Sequence, residues 1–247
     1  MNNQFTRLMM QIGAGGLENL KNSRVAVFGI GGVGGHCAEA LARAGVGGID
    51  LYDSDTVCIT NINRQTVALM STVGRYKVDV MKERILDINP QAAVEAHRLF
   101  YSPETAGSAE LSQYSYIVDA IDTVTAKLEL ICRARQCGIP IISSMGAANK
   151  LDASALTVAD IYATSVCPLA RVMRRELKKR GIPALKVVYS KEEATTPKDQ
   201  PIQCCGHPNC CKTDGAVSPR RQIPSSNSFV PPVAGLIIAG EVIKDLI

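Results

Sequence analysis

Tryptophan is absent, and aromatic residues make up only 4% of this 247-residue chain. That scarcity argues against an extended stacking surface for single-stranded nucleic acid, which needs successive aromatic rings. Also missing is an apolar run of the roughly 20 residues that cross a bilayer. The C-terminal run 233–239 is short and is followed by Glu241, Lys244 and Asp245, so it reads as a buried terminal helix. Residues 1–11 are polar and lack the apolar stretch of a signal peptide, so the expectation is a cytoplasmic protein without membrane association. In that compartment the nine cysteines read as thiols or metal ligands rather than disulfides. The net charge of +4 permits an RNA partner but lacks the basic excess of a dedicated nucleic-acid module. The hydrophobic share of 46% is ordinary, and the length suits one large α/β unit.

What is present begins at residues 25–35, Val25-Ala26-Val27-Phe28-Gly29-Ile30-Gly31-Gly32-Val33-Gly34-Gly35. An apolar strand runs into glycines and then into a helix over 38–44, with Gly45 placed as its C-terminal cap. Gly29, Gly31 and Gly34 match the G-x-G-x-x-G pattern, and Gly32 lies inside it. Glycine permits the tight turn and the close approach of a ligand. The helix behind it offers free N–H groups and the positive end of its dipole to a phosphate.

A second strand, 48–52, ends in Asp53-Ser54-Asp55. An acidic residue here, some twenty residues past the glycines, is placed to hold ribose hydroxyls. Asp53 comes first off the strand, while Asp55 has the alternative of capping a turn. The polar cluster Asn61-Ile62-Asn63-Arg64-Gln65 follows, then an amphipathic helix over 77–88 marked by Val78, Met81, Ile85 and Ile88. Lys77 opens that helix, where a cation opposes the dipole unless an anion is bound nearby. A third strand is expected at 93–99, a polar turn-and-helix segment at 102–112, and a fourth strand at 116–122 ending in Asp122. A helix at 123–137 and a fifth strand at 138–144 complete the alternation. Ligands of open parallel sheets bind at the C-terminal strand ends, where Gly29, Asp53 and Asp122 all fall. The second half departs from simple alternation, with strands at 155–161 and 186–190, a basic helix at 168–180, a long polar loop at 194–228 and a final helix from Pro231-Pro232.

A hydride-transferring dehydrogenase would use the glycines and Asp53 but has no evident need for Arg64 and Lys77. An enzyme that adenylates a carboxylate does need them, because negative charge builds on phosphoryl oxygens and pyrophosphate leaves. Asp122 can hold a Mg²⁺ that bridges the phosphates. Groups of this kind are worth about 3–4 kcal/mol when removed.

The set Gly29 to Gly34, Asp53-Ser54-Asp55, Asn61 to Gln65, Lys77 and Ala120-Ile121-Asp122 resembles the adenylating domain of the ubiquitin-activating (E1-like, ThiF-type) superfamily. That group includes the activators of the molybdopterin- and thiamine-pathway sulfur carriers. Within it the chain is similar, over nearly its whole length, to the tRNA threonylcarbamoyladenosine dehydratase family. The similarity extends to Ile88-Asn89-Pro90, to residues 114–122, to Cys167-Pro168-Leu169-Ala170 and to residues 226–235. Cys167 departs from the aspartate expected before Pro168.

The resemblance implies a Rossmann-like α/β fold with a mixed, largely parallel sheet and helices on both faces. It implies one unit over 1–247, with an ATP-binding half at 1–150 and a substrate and dimer half at 151–247. It implies a homodimer in which Arg7, otherwise a solvated surface arginine, reaches the partner's ATP. The implied reaction is ATP-dependent: the threonylcarbamoyl carboxylate on an adenosine beside the tRNA anticodon is adenylated and then cyclised, with AMP and pyrophosphate released. Adenylation of the C-terminus of a ubiquitin-like sulfur-carrier protein is the alternative, and a cysteine desulfurase or sulfur acceptor is a candidate partner under either reading. Arg171, Arg174, Arg175 and Lys178 become candidates for tRNA phosphates, against a merely solvated helix face. Cys204, Cys205, Cys210 and Cys211, with His207, are candidate Zn²⁺ ligands. Their spacing is not that of paired C-x-x-C knuckles, and a redox-active or flexible loop is the alternative.

Overall fold

The computed structural model describes residues 3–199 and 224–247. The strands are β1 (Arg24–Phe28), β2 (Gly48–Tyr52), β3 (Ala93–His97), β4 (Tyr116–Asp119), β5 (Ile141–Ser144), β6 (Leu156–Asp160) and β7 (Lys186–Ser190). They form one sheet in the order β3-β2-β1-β4-β5-β7-β6. All neighbours are parallel except the antiparallel pair β6 and β7. The helices are α1 (Thr6–Asn22), α2 (Gly34–Arg43), α3 (Lys77–Ile88), α4 (Val124–Gln136), α5 (Pro168–Lys179) and α6 (Val230–Leu246).

Strand alternation decides which residues meet which helices. Val25, Val27, Ile49, Leu51, Val118 and Ile142 join a core with Leu41 of α2, Met81 of α3 and Ile238 of α6. The opposite face carries Ala26, Phe28 and Ile117 against Ala126 and Leu130 of α4. A third cluster packs Ile131 of α4 and Met173 and Leu177 of α5 on Val187 and Tyr189 of β7. The expected mixed, largely parallel sheet with helices on both faces is therefore present. No helix among the described residues is long and apolar enough to cross a membrane.

Several boundaries move. The fourth strand ends at Asp119, so Ala120 to Asp122 form a loop beyond the sheet edge. Residues 102–112 contain two short 3₁₀ turns. In α1 only Gly13 leaves helical geometry, with φ +78°, while the helix continues through Gly15 and Gly16. Cys58 is disulfide-bonded, against the expectation of thiols, whereas Cys37, Cys132, Cys137 and Cys167 are free.

Strand order reverses between β1 and β4, which opens a crevice at their C-terminal ends. Two glycines make that junction possible. Gly29 has φ +91°, and a Cβ there would lie 2.6 Å from the Ala120 carbonyl oxygen. A Cβ on Gly34 would lie 1.8 Å from the Gly29 carbonyl oxygen. We expect Gly34→Ala to lower the unfolding free energy by about 1–3 kcal/mol, because the turn must open to admit a methyl group. Urea denaturation of the two proteins checks this.

Candidate active site

The crevice is a cavity of about 700 Å³, within the usual range for a small-molecule site. Gly29, Gly31, Gly32, Asp53, Asp55, Asn61, Arg64, Gln65, Lys77 and Asp122 all line it. Gly34 is buried beneath it as a packing residue. The Asn63 amide donates to the Ser226 carbonyl (3.0 Å), and Ser226 in turn lines the cavity. Arg7 is exposed on α1 and does not line the cavity of its own chain.

Arg64 decides the electrostatics. Its Nη1 donates to the Thr60 carbonyl (3.1 Å) and to Asn63 Oδ1 (2.9 Å), and no carboxylate pairs with it among the described residues. Burial lowers its pKa, the mark of a guanidinium that has lost water without gaining a counter-ion. A phosphate would supply one.

Lys77 is buried at the start of α3, and its Nζ donates to Asp55 Oδ2 at 2.7 Å. The Lys77 amide also donates to the Asp55 carbonyl at 3.0 Å. Asp55 thus offsets the cation that the helix dipole disfavours. The Asp53 carboxylate accepts from the Ile30 amide (2.7 Å) and the Asp55 amide (2.8 Å), which locks the glycine turn to the end of β2. Burial pushes the Asp53 pKa up, and the nearby Lys77 charge opposes that shift.

Two polar atoms await partners. Gln65 Oε1 and Thr123 Oγ1 are buried with no hydrogen bond, and both residues line the cavity. A side chain at Gly31 would meet only Gln65 Nε2, at 4.0 Å, so the turn faces open space on its cavity side. Asp122 is exposed at the rim. These features fit a nucleoside triphosphate: the glycine turn, Arg64 and Gln65 present donors to the same cavity. Among the described residues no group of three or more His, Cys, Asp or Glu side chains is placed to hold a metal. A Mg²⁺ here would have Asp122 as protein ligand and take its other ligands from phosphates and water. The candidate Zn²⁺ ligands Cys204, Cys205, Cys210 and Cys211 lie outside the described residues.

One wall was not anticipated from composition. Phe28, Tyr52, Phe100 and Tyr101 gather at one end of the cavity despite the rarity of aromatics. Tyr52 is sandwiched between Phe28 (centroids 4.3 Å apart) and His97 (4.2 Å), both parallel to it. Its hydroxyl meets that of Tyr114 at 2.7 Å, and Tyr114 donates to buried Asp50 at 2.8 Å. The available signal was positional: Phe28 and Tyr52 are the last residues of adjacent strands. The opposite wall comes from Ser144 to Ala148, Leu169 and Pro231.

The basic helix α5 is partly self-neutralised. Glu176 pairs with Arg175 (3.3 Å), Lys179 (3.1 Å) and Arg180 (2.9 Å). Arg174 donates to the Thr164 carbonyl at 2.8 Å. Of the four candidate tRNA contacts, Arg171 and Lys178 have no protein partner among the described residues.

The ThiF family model matches residues 5–247. The chain belongs to the ThiF family. It is 46% identical over 248 aligned residues to the tRNA threonylcarbamoyladenosine dehydratase of Bacillus subtilis, covering 100% of this chain and 96% of that protein. The Escherichia coli enzyme of the same name is 38% identical over 196 residues, 76% of this chain and 73% of that protein. This ThiF-family chain thus groups with the tRNA threonylcarbamoyladenosine dehydratases. The crystal structure of the E. coli enzyme with AMP superposes with TM-score 0.84 at 32% identity, covering 98% of this chain and 93% of the other. Its ATP complex gives 0.82 at 31% identity, with the same coverage. The E. coli molybdopterin-synthase adenylyltransferase is a more distant relative, 35% identical over 138 residues, 56% of this chain and 54% of that protein.

The raised pKa of Asp53 carries a pH prediction. To hold ribose hydroxyls, as its strand-end position leads one to expect, the Asp53 carboxylate would have to be ionised, and a raised pKa means it takes up its proton at a higher pH than an ordinary aspartate, near 3.9. We expect ATP affinity to fall on acidification, beginning above the usual carboxylate range. Asp53→Asn should bind more weakly at neutral pH and lose that dependence. Calorimetric titrations between pH 4.5 and 8 check both.

Proposed function

We infer that this protein is an ATP-dependent tRNA threonylcarbamoyladenosine dehydratase. The observation that carries the chemistry is the half-buried Arg64 guanidinium, without a counter-ion, at the mouth of a glycine turn. The reading is supported by the full-length similarity to enzymes of that name. ATP takes the cavity with its ribose toward Asp53 and its phosphates toward the glycine turn, Arg64 and Gln65. The substrate carboxylate attacks the α-phosphorus, and the bond to pyrophosphate breaks. Arg64 and Lys77 stabilise the charge that develops on the phosphoryl oxygens. A nucleophile of the same threonylcarbamoyl side chain then attacks the activated carbonyl and expels AMP. The original carboxylate oxygen leaves with AMP and one proton is lost, a net loss of water. The substrate supplies its own nucleophile, so no enzyme thiol is needed. Mg²⁺, held by Asp122, would neutralise charge across the phosphates. We further propose that the enzyme acts on tRNA in the cytoplasm, with Arg171 and Lys178 of α5 meeting backbone phosphates.

The deciding experiment is nucleoside mass spectrometry of tRNA bearing threonylcarbamoyladenosine after incubation with the protein and Mg·ATP. The expected result is an ATP-dependent loss of one water from that nucleoside. No change, with pyrophosphate exchange only when a sulfur-carrier protein is added, would overturn the reading. In the same assay Arg64→Ala should reduce turnover about 100-fold.

We also propose that the active unit is a homodimer in which Arg7 of one copy serves the ATP of the other. Its exposure away from its own cavity supports this. Arg7→Ala and Asp122→Ala should each be inactive alone. After subunit exchange, half of the dimers would be mixed, each with one intact site, so the mixture should recover about a quarter of native turnover. No recovery in demonstrably mixed dimers would place Arg7 elsewhere.

A further inference from the structure

Lys127 and Asp119 form the ion pair that, among the described residues, has both side chains buried, at 0% exposure each. The Lys127 ammonium donates to Asp119 Oδ2 (3.0 Å), Ser143 Oγ (3.2 Å) and the Ser144 carbonyl (2.7 Å). Ser143 Oγ also donates to Asp119 Oδ2 at 2.6 Å. Asp119 Oδ1 accepts from the Ile121 amide at 3.2 Å. All three ammonium protons and both carboxylate oxygens are therefore used.

A pair this dry is a poor source of stability, because desolvating two charges offsets most of their attraction. Its position suggests another use. Asp119 is the last residue of β4 and Ser144 the last of β5, while Lys127 lies one turn into α4. The turn 120–123 joins β4 to α4 and carries Asp122 and the unpartnered Thr123 hydroxyl. One end of the turn is tied to the pair directly, because the Ile121 amide donates to Asp119 Oδ1, and at the other end Lys127 itself stands in the first turn of α4. On the other side, the bonds to Ser143 and Ser144 hold the strand end from which Met145, Gly146 and Ala147 line the cavity.

We propose that Lys127 and Asp119 are positioning residues: their network fixes the Asp122 turn against the Ser144–Ala148 wall, so that the α-phosphate of ATP and the attacking carboxylate meet in register. The proposal rests on the functional reading above. Neither residue lines the cavity, so neither touches the nucleotide. Displacing a reacting group by about 1 Å costs on the order of 100-fold in rate. ATP binding depends mainly on the glycine turn, Asp53 and Arg64, so losing the network should lower kcat and spare the KM for ATP.

Lys127→Met alone strands a buried carboxylate and destabilises the fold, so the informative variant is Asp119→Leu with Lys127→Met, which removes both charges. A second variant, Ser143→Ala, deletes one hydroxyl and leaves the pair intact. In steady-state dehydration of modified tRNA, the double variant should show kcat about 100-fold down with KM for ATP within about threefold of native. Ser143→Ala should lie between the two. A folded double variant with native kcat, or equal losses in kcat and ATP affinity, overturns the proposal. If the double variant does not fold, native kcat in Ser143→Ala overturns it. Amide exchange of residues 120–123 and 145–148 in the ATP-bound protein gives a readout independent of the reaction. Faster exchange in Ser143→Ala supports the proposal, and unchanged exchange overturns it. An inactive native protein would instead count against the functional reading and leave the exchange test standing.

Discussion

Backbone meets backbone where the strand order reverses, and the rest of the site depends on that contact. Between the glycine turn after β1 and the loop after β4 there is no room for a Cβ on Gly29 or Gly34. This closeness lets Asp53 accept from the Ile30 amide while Asp122 stands on the neighbouring loop. Two connections that lie far apart along the chain thereby become two sides of one anion-binding crevice.

Charge in the crevice is arranged for an absent partner. Lys77 has Asp55, and Asp53 has two amides, so each is held in place by the protein itself. Arg64 has only carbonyl and amide acceptors, and Gln65 and Thr123 each keep a buried polar atom unsatisfied. Such atoms are costly in a finished interior. Two of the four such atoms among the described residues line this one cavity. Beneath the site, the Lys127–Asp119 network spends buried charge where apolar packing would serve stability at least as well.

In two places composition is silent about arrangement. Few aromatics argued against an extended stacking surface for single-stranded nucleic acid; that count did not show that four of them line one small cavity, with Phe28, Tyr52 and Tyr101 buried. The six basic residues between 171 and 180 keep the helix cationic, but Glu176 gathers three of them and the Thr164 carbonyl a fourth, so their side chains are not equally free to meet a partner. Counting residues gives totals, whereas a surface is made by neighbours.

Local order along the chain was sufficient for much of this protein. The glycine turn and the helix from Lys77 with its 3.6-residue period are set by interactions between residues close in sequence, and strand 186–190 shows an apolar pattern of its own, so all three are visible there. The spacing from Gly29 to Asp53 placed both at strand ends, and Arg64, Lys77 and Asp122 pointed to phosphate chemistry. Boundaries and partners were not legible. Strand β4 stops at Asp119 because that carboxylate turns to meet Lys127, Ser143 and the Ile121 amide. Nothing near Asp119 in the chain announces a bond to β5. Helix α1 runs on through two glycines because its apolar side packs against the core. The aromatic wall, the pairing of Asp55 with Lys77 and the bond from Ser143 to Asp119 join residues many positions apart. Such contacts exist only once the sheet has ordered its strands, so only the tertiary structure could decide them.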